Sequence, residues 1–248
     1  MTVIKSPQEV AIMRQARKIV AAVLQKLREE IKPGIKTSQL DSVAASELKK
    51  YGAKASFKGY RGFPANLCVS VNDEVVHGIP GERRLNDGDL VSLDFGAIVD
   101  GFHGDGAITV GIGGISPKAQ ELLAVTEAAL MAGIRAARNG VHLGEISSSI
   151  QNYVETRGFS VVREYSGHGV GRDLHEDPLV PNFGSPGEGS ILQKGMTLAI
   201  EPMVTAGDWH TRVAENRWTV LTADGSLAAH FEHTIAISEG EAEVLTLL

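Results

Sequence analysis

The period of hydrophobic and polar positions changes several times along this chain, and the changes mark its elements. Ser6, Pro7 and Glu9 have the pattern of a capping box with proline in the first helical turn. Val10, Met13, Ile19, Val20, Val23, Leu27 and Ile31 follow at helical spacing, and Pro33-Gly34 ends the helix. A second helix begins near Thr37, buries Leu40, Val43, Ala44 and Leu48, and stops at Gly52. Ala53 to Pro64 is rich in glycine and aromatics, with Phe57, Tyr60 and Phe63 spaced by three as in a packed loop or a pocket wall. The period then drops to two. Leu67, Val69 and Val71 alternate as in a strand, Asn72-Asp73 turns the chain, and Val75 and Val76 lead to His77.

The clearest pattern is SLDFGAIVDGFHGDGAITV, Ser92 to Val110. Apolar residues alternate on both sides of Asp100-Gly101, the strongest short-range hairpin signal. A two-residue turn there sets Asp94 opposite Ala107 and puts Asp105 on the same face, about 7 to 8 Å away on the diagonal. Asp94 sits among Val91, Leu93 and Phe95, where an unpaired charge is costly, so something must neutralise it.

The rest of the chain repeats the first part. Ser116-Pro117 opens a third helix, apolar at Leu122, Leu123, Ala129 and Ile134 and ending at Asn139-Gly140. A short fourth helix uses Ile146, Ile150 and Val154 and stops at Gly158. Setting Gly34 on Gly140 also pairs Ile35 with Val141, Leu40 with Ile146, Leu48 with Val154 and Gly52 with Gly158. One inserted residue later, GDLVSLD lies on KGMTLAIE, pairing Asp94 with Glu201; FHGDGAITV resembles HFEHTIAIS, pairing Asp105 with Glu232. The expectation is one domain, 1–248, built as an internal repeat over about 1–112 and 113–248. Packed about a pseudo-twofold axis, such halves bring four carboxylates together, and two divalent ions would balance them.

Composition narrows the setting. The 248 residues are 43% hydrophobic, enough for a large core, and the formal net charge of -6 argues against general nucleic-acid binding. Cys68 is the only cysteine, so no internal disulfide can form and a reducing cytoplasm is the natural compartment. MTVIKSPQEV has no apolar signal core, and charges interrupt every apolar run before the ~18 residues a membrane span needs.

SGHGVGRDLHE, Ser166 to Glu176, places His168 and His175 seven residues apart among three glycines that let backbone approach a bound group. The GxGxxG fingerprint fails at Arg172, and no HExxH, CxxC pair, GxSxG or Walker loop is present. Taken singly, either histidine reads more readily as an ordinary loop or core residue, and it is the glycines around them that shift the reading toward a site.

Together, CVSVNDEVVHGIP, DFGAIVDGFHGD, EYSGHGVGRDLHE, AIEPM and FEHT resemble the methionine aminopeptidases, specifically the short bacterial type I enzymes, over nearly the whole chain and in the correct order. The resemblance implies the pita-bread (creatinase/aminopeptidase) fold, an α+β fold of two pseudo-twofold-related halves of antiparallel sheet backed by helices. It implies two divalent metal ions (Co, Mn, Fe or Zn): one held by Asp94, the other by His168 and Glu201, with Asp105 and Glu232 bridging. Glu201 is then the general base, His175 donates to the scissile carbonyl oxygen, and His77 holds the scissile amide. The substrate's free α-amine would meet the ion at Asp94, restricting cleavage to the first residue.

By the same resemblance Phe57, Tyr60, Phe63, Cys68 and Trp218 form the pocket for the methionine side chain, together with His77 and His175. Phe63 stands where many members carry tyrosine. The implied substrates are nascent polypeptide N-termini and short Met-initiated peptides, with the ribosome a candidate partner and a monomer the expected state. Two other readings stay open from the sequence. One is a proline-specific pita-bread peptidase, of the aminopeptidase P or prolidase kind, which usually carries a further N-terminal domain. The other is a non-catalytic pita-bread binding protein, which usually has lost metal ligands.

Overall fold

In this computed structural model, which describes residues 2–246, the two periods of the sequence become helix and sheet. Helix α1 (Pro7–Glu30) starts with a complete capping box: the Ser6 hydroxyl accepts the Glu9 N–H, and the Glu9 carboxylate accepts the Ser6 N–H. Helix α2 (Thr37–Tyr51) ends on Gly52 in the left-handed region, φ 66°. Of its predicted stripe, Leu40, Ala44 and Leu48 are buried, but Val43 is only half-buried. At 3.6 residues per turn Val43 lies about 100° from the middle of that row, on the margin of the apolar face. Helix α3 (Pro117–Ala136) is capped by Ser116 and ends earlier than Asn139-Gly140, because the Ala137 N–H already closes on the Gly133 and Ile134 carbonyls. Helix α4 is Gly144–Glu155.

The strands are β1 (Lys54–Ala55), β2 (Leu67–Val71), β3 (Glu74–Val76), β4 (Leu90–Val99), β5 (Phe102–Gly111), β6 (Ser160–Val161), β7 (Ser166–Gly169), β8 (Glu176–Pro181), β9 (Thr197–Ile200), β10 (Met203–Thr205), β11 (Thr211–Val213), β12 (Val220–Thr222), β13 (Ala228–His230), β14 (Glu232–Ala236) and β15 (Glu243–Val244). The main sheet runs β1-β4-β5-β14-β9-β7-β8, with β2 also on β4 and β15 on β14. β4 and β5 form the expected hairpin. Asp100 and Gly101 both have positive φ (48° and 80°), as a type I′ turn requires, and Asp94 faces Ala107 while Gly96 faces Asp105.

The two halves meet in the middle of this sheet, where β5 pairs antiparallel with β14 and Glu232 faces Ala107. Their backbones correspond in detail. The Gly34 N–H donates to Leu85 O (2.7 Å) and the Leu85 N–H to Ile35 O (3.0 Å); Gly140 donates to Leu192 O (2.8 Å) and Leu192 to Val141 O (2.8 Å). β9 and β14 pair as β4 and β5 do, but residues 201–231 lie between them and contribute to two small sheets, β13-β10-β6 and β11-β12-β3.

The apolar core divides the same way. One cluster gathers Val20, Leu27, Leu40, Leu67, Leu93 and Phe95 under α1 and α2; the other gathers Leu122, Leu130, Ile146, Ile150, Leu198 and Ile235 under α3 and α4. Truncating a fully buried leucine such as Leu27 or Leu198 to alanine should cost about 2–5 kcal/mol. α1 lies so close on β5 that a Cβ on Gly104 would come within 2.9 Å of the Arg17 backbone nitrogen. The alternation Gly104, Asp105, Gly106, Ala107 therefore turns its bare side to the helix and its carboxylate to the opposite face.

Candidate metal centre and substrate cavity

The face of the main sheet away from α1 floors a cavity of about 310 Å³. Register alone puts Cys68, Asp94, Ala107 and Glu232 in one row across β2, β4, β5 and β14, all on the same face. Ala107, the small member of the row, leaves space between the two carboxylates. Asp105 adds a third carboxylate on the diagonal. Glu201 follows β9 directly and adds the fourth, its backbone carbonyl held by the Asn182 side-chain amide at 3.0 Å.

His168 comes in from β7, whose His168 pairs with Ala199 of β9. Its Nδ1 is 2.8 Å from the Gly169 carbonyl, which can only accept, so Nδ1 carries the hydrogen and Nε2 keeps its lone pair. That lone pair points at carboxylates: Glu201 Oε1 is 3.4 Å away and Asp105 Oδ2 4.0 Å. One ligand atom each from Asp105, His168 and Glu232 lie within 4.8 Å of one another.

Lone pairs facing lone pairs in a buried place repel, and the titration of the groups reflects it. Burial first, and Asp105 second, push the Asp94 carboxyl well above the usual carboxylate range. Glu201 and Glu232 rise likewise through burial and then their acidic neighbours. Asp105 rises to about 7, burial outweighing the N–H of Gly106 that it accepts. Burial lowers His168 to about 4, so its approach to Glu201 is that of a neutral imidazole, not an ion pair. Asp94 Oδ1 and Glu232 Oε1 are buried with no hydrogen-bond partner. Arg61, at the rim, is the only lysine or arginine among the lining residues. Four converging carboxylates, an imidazole lone pair and two orphaned oxygens without an internal cation fit divalent metal ions.

The wall is built mainly from loops. Phe57, Phe63, Ala65, Cys68 and Leu174 pack together, with Tyr60, Ile79 and Trp218 against them, and Phe63 meets Trp218 edge-on at 5.2 Å between ring centres. Cys68 is buried, and burial followed by Asp94 raises its thiol well above the ordinary value, so it acts as an apolar wall group. His175 stands where the cavity opens, its ring centre 4.2 Å from that of His168 and its Nδ1 2.7 Å from Tyr60 Oη. His77 has φ 60°, a strained value for a non-glycine residue. Gly78 behind it allows the fit, since a Cβ there would lie 2.0 Å from Val69 O.

The structure thus brings every predicted ligand, both assigned histidines and every predicted pocket residue to the lining of one cavity. The lining also contains Arg61, Val76, Glu164, Tyr165, Ser166, Leu174 and Met203, which the sequence reading missed. It missed His230 too, a fully buried residue whose Nε2 lies 3.6 Å from Glu201 Oε2 and has no hydrogen-bond partner. Met203 and His230 face each other across β10 and β13; each stands two residues from a predicted ligand, Glu201 or Glu232, but across a break between strands, so the period of two does not carry over.

Residues 11–239 match metallopeptidase family M24. The chain belongs to that family. Methionine aminopeptidase 1 of Bacillus subtilis is 53% identical over 246 residues, covering 99% of this M24 chain and 99% of that protein. The methionine aminopeptidase of Clostridium perfringens is 50% identical over 248 residues and covers 100% of both. A crystal structure of the methionine aminopeptidase from Thermotoga maritima superposes with a TM-score of 0.99 at 48% identity over 100% of both chains. Within family M24, then, the chain groups with the methionine aminopeptidases. A prolidase from Pyrococcus furiosus shares the pita-bread fold, with a TM-score of 0.81 at 23% identity, but this chain covers only 66% of it.

Proposed function

We propose that this chain removes the N-terminal methionine from nascent polypeptides and short peptides by metal-dependent hydrolysis of the first peptide bond. The observation that carries the reading is the pairing of an unneutralised carboxylate floor with an apolar, sulfur-tolerant wall in one small cavity. Asp94, Asp105, His168, Glu201 and Glu232 are the side chains that would hold two divalent ions; mixed oxygen and imidazole donors suit Mn, Fe, Co or Zn. Such ions, when bound, supply a water of lowered pKa near neutrality and polarise a carbonyl.

The chain's own residues do the rest. Phe57, Tyr60, Phe63, Cys68 and Trp218 take the methionine side chain, in reach of aromatic rings that favour a thioether. Glu201, flanked by His168 and His230, accepts the proton released on attack and returns it to the leaving amine. With Tyr60 Oη, 2.7 Å away, as the donor to Nδ1 of His175, the imidazole would carry its hydrogen on Nε2 and donate it to the scissile carbonyl oxygen as charge develops there. His77, fixed by its strained backbone, positions the scissile amide. The chain acts as one catalytic domain of two halves, 1–112 and 113–248, and as a cytoplasmic monomer that meets its substrates at the ribosome. No helix among the described residues is long and apolar enough to cross a membrane.

The test uses metal-free protein with Mn, Fe, Co or Zn added back, assayed on a Met-Gly-Met-type tripeptide, a Pro-first peptide and an X-Pro peptide. Methionine release alone, restored by metal, is the expected result. Cleavage of the proline peptides instead would replace this reading with the proline-specific one, and no cleavage with any metal would leave a binding protein.

A further inference from the structure

We infer that Lys5 is a positioning residue for His175: its buried pairing with Glu176 fastens the segment Gly171–Glu176 to the start of α1 and so fixes where the histidine stands. The inference rests on the proposed reading of the cavity as a peptidase site. Lys5 Nζ donates to the Glu176 carboxylate, and the two side chains are only 2% and 8% exposed. Removing both charges from water costs about as much as their attraction returns, so such a pair is a poor source of stability; what it supplies is a single geometry.

Both partners are bound on their other sides as well. Lys5 Nζ donates to Val3 O (3.2 Å) and the Lys5 N–H to Gly195 O (2.8 Å), while the second oxygen of Glu176 accepts the Asp173 N–H (3.3 Å). The space is shaped around them: a Cβ on Gly171 would fall 2.5 Å from both Lys5 Cε and Glu176 Oε1. A second strap runs parallel. Arg172 donates to Glu9 at 3.1 Å and lies over the Phe102 ring at 4.3 Å, and Glu9 belongs to the capping box of α1.

His175 is the residue directly before Glu176. On the cavity side its ring has the Tyr60 hydroxyl as hydrogen-bond partner; the backbone that carries it is held from behind, by Lys5. The anchor is also the right one. α1 packs against β5 closely enough to demand Gly104, so the strand carrying Asp105 and the segment carrying His175 take their positions from the same helix. Loosening Lys5 should therefore move the carbonyl donor relative to the carboxylate floor and leave the floor itself in place.

The test compares Lys5→Met, Glu176→Gln and the double variant in the metal-loaded enzyme, with kcat, KM, bound metal and hydrogen exchange over residues 170–177. Lys5→Met should lower kcat about tenfold or more, the scale expected of a catalytic group displaced by a fraction of an ångström, with KM within about twofold. Metal content should stay at the wild-type level, and exchange over 170–177 should quicken while β4 and β5 stay protected. Glu176→Gln keeps the shape and one of the two acceptor oxygens, so it remains testable if Lys5→Met does not fold, and should show a smaller fall in kcat. The double variant should be no worse than Lys5→Met alone. Arg14→Ala, which breaks the exposed pair between α1 and Glu243 of β15, should leave the kinetics unchanged. Wild-type kcat and exchange in Lys5→Met, additive losses in the double variant, or a fall traced to lost metal would each overturn the inference. A wild-type enzyme that releases no methionine would instead overturn the proposed function, and unchanged exchange over 170–177 in Lys5→Met would then still count against the anchor.

Discussion

The floor and the wall of the cavity are made in different ways. The floor is central sheet: Asp94, Asp105 and Glu232 are set by continuous antiparallel register across β4, β5 and β14. The wall is mainly loop and turn: apart from Cys68 on β2, it takes Tyr60 from a 3-10 turn, Leu174 and His175 from the segment after β7, and Trp218 from the loop before β12. A register cannot drift by one residue without turning every side chain to the other face, whereas a loop can change one side chain at a time. The proposed metal ligands thus stand on the part of the cavity that register fixes, and the proposed side-chain pocket on the part that loops can vary.

The largest effects should come from the floor. Asp94→Asn or Glu201→Gln should abolish peptidase activity, a loss of several kcal/mol in transition-state stabilisation or about a thousandfold and more, with circular dichroism unchanged. Full activity in either would contradict the site. His175→Ala, at the boundary between floor and wall, should lower kcat about a hundredfold or more while metal content, read by atomic emission, stays constant. Loss of metal in that variant would make His175 a ligand and move it to the floor. From the wall, Trp218→Ala should raise KM for Met-first peptides about tenfold with little change in bound metal, since it removes apolar contact and leaves the ligands untouched.

Stability against pH separates the regions more finely. In metal-free protein the carboxyls of Asp94, Glu201 and Glu232 are raised and Asp105 stands at about 7. A raised folded-state pKa means that the folded chain holds those protons more tightly than the unfolded chain. That contribution to stability is complete below the unfolded carboxylate pKa near 4 and is lost as pH rises through the folded value. Bound metal removes the effect, so the gap in Tm between loaded and metal-free protein should widen from about pH 5 to about pH 8. A constant gap would show that the floor carboxylates are not held apart from solvent. The smallest effect belongs to Cys68: its raised thiol pKa predicts slow alkylation at neutral pH and activity that survives a thiol reagent.

The same division explains what could be read from the sequence. Asp94, Ala107 and Asp105 follow from one Asp-Gly turn and a period of two, both local signals, and the structure has that register. Glu201 and Glu232 followed from matching the second half to the first, and β9 and β14 do pair as the repeat requires. His168 and the pocket residues came from resemblance, because no spacing rule joins Phe57 to Trp218. The lining residues that went unread, among them Arg61, Tyr165 and Leu174, reach the cavity from separate loops whose paths are set by tertiary packing. His230 is separated from Glu232 by a break between β13 and β14, and a lone buried histidine has no sequence signature that distinguishes it from an ordinary core residue.

Everything proposed for the cavity depends on two metal ions bound at the floor between these particular side chains. Anomalous diffraction from crystals loaded with Mn tests it most directly. Two peaks are expected above the sheet, within bonding distance of Asp94, Asp105, His168, Glu201 and Glu232. No peak at the floor, or metal bound only elsewhere on the chain, would contradict it.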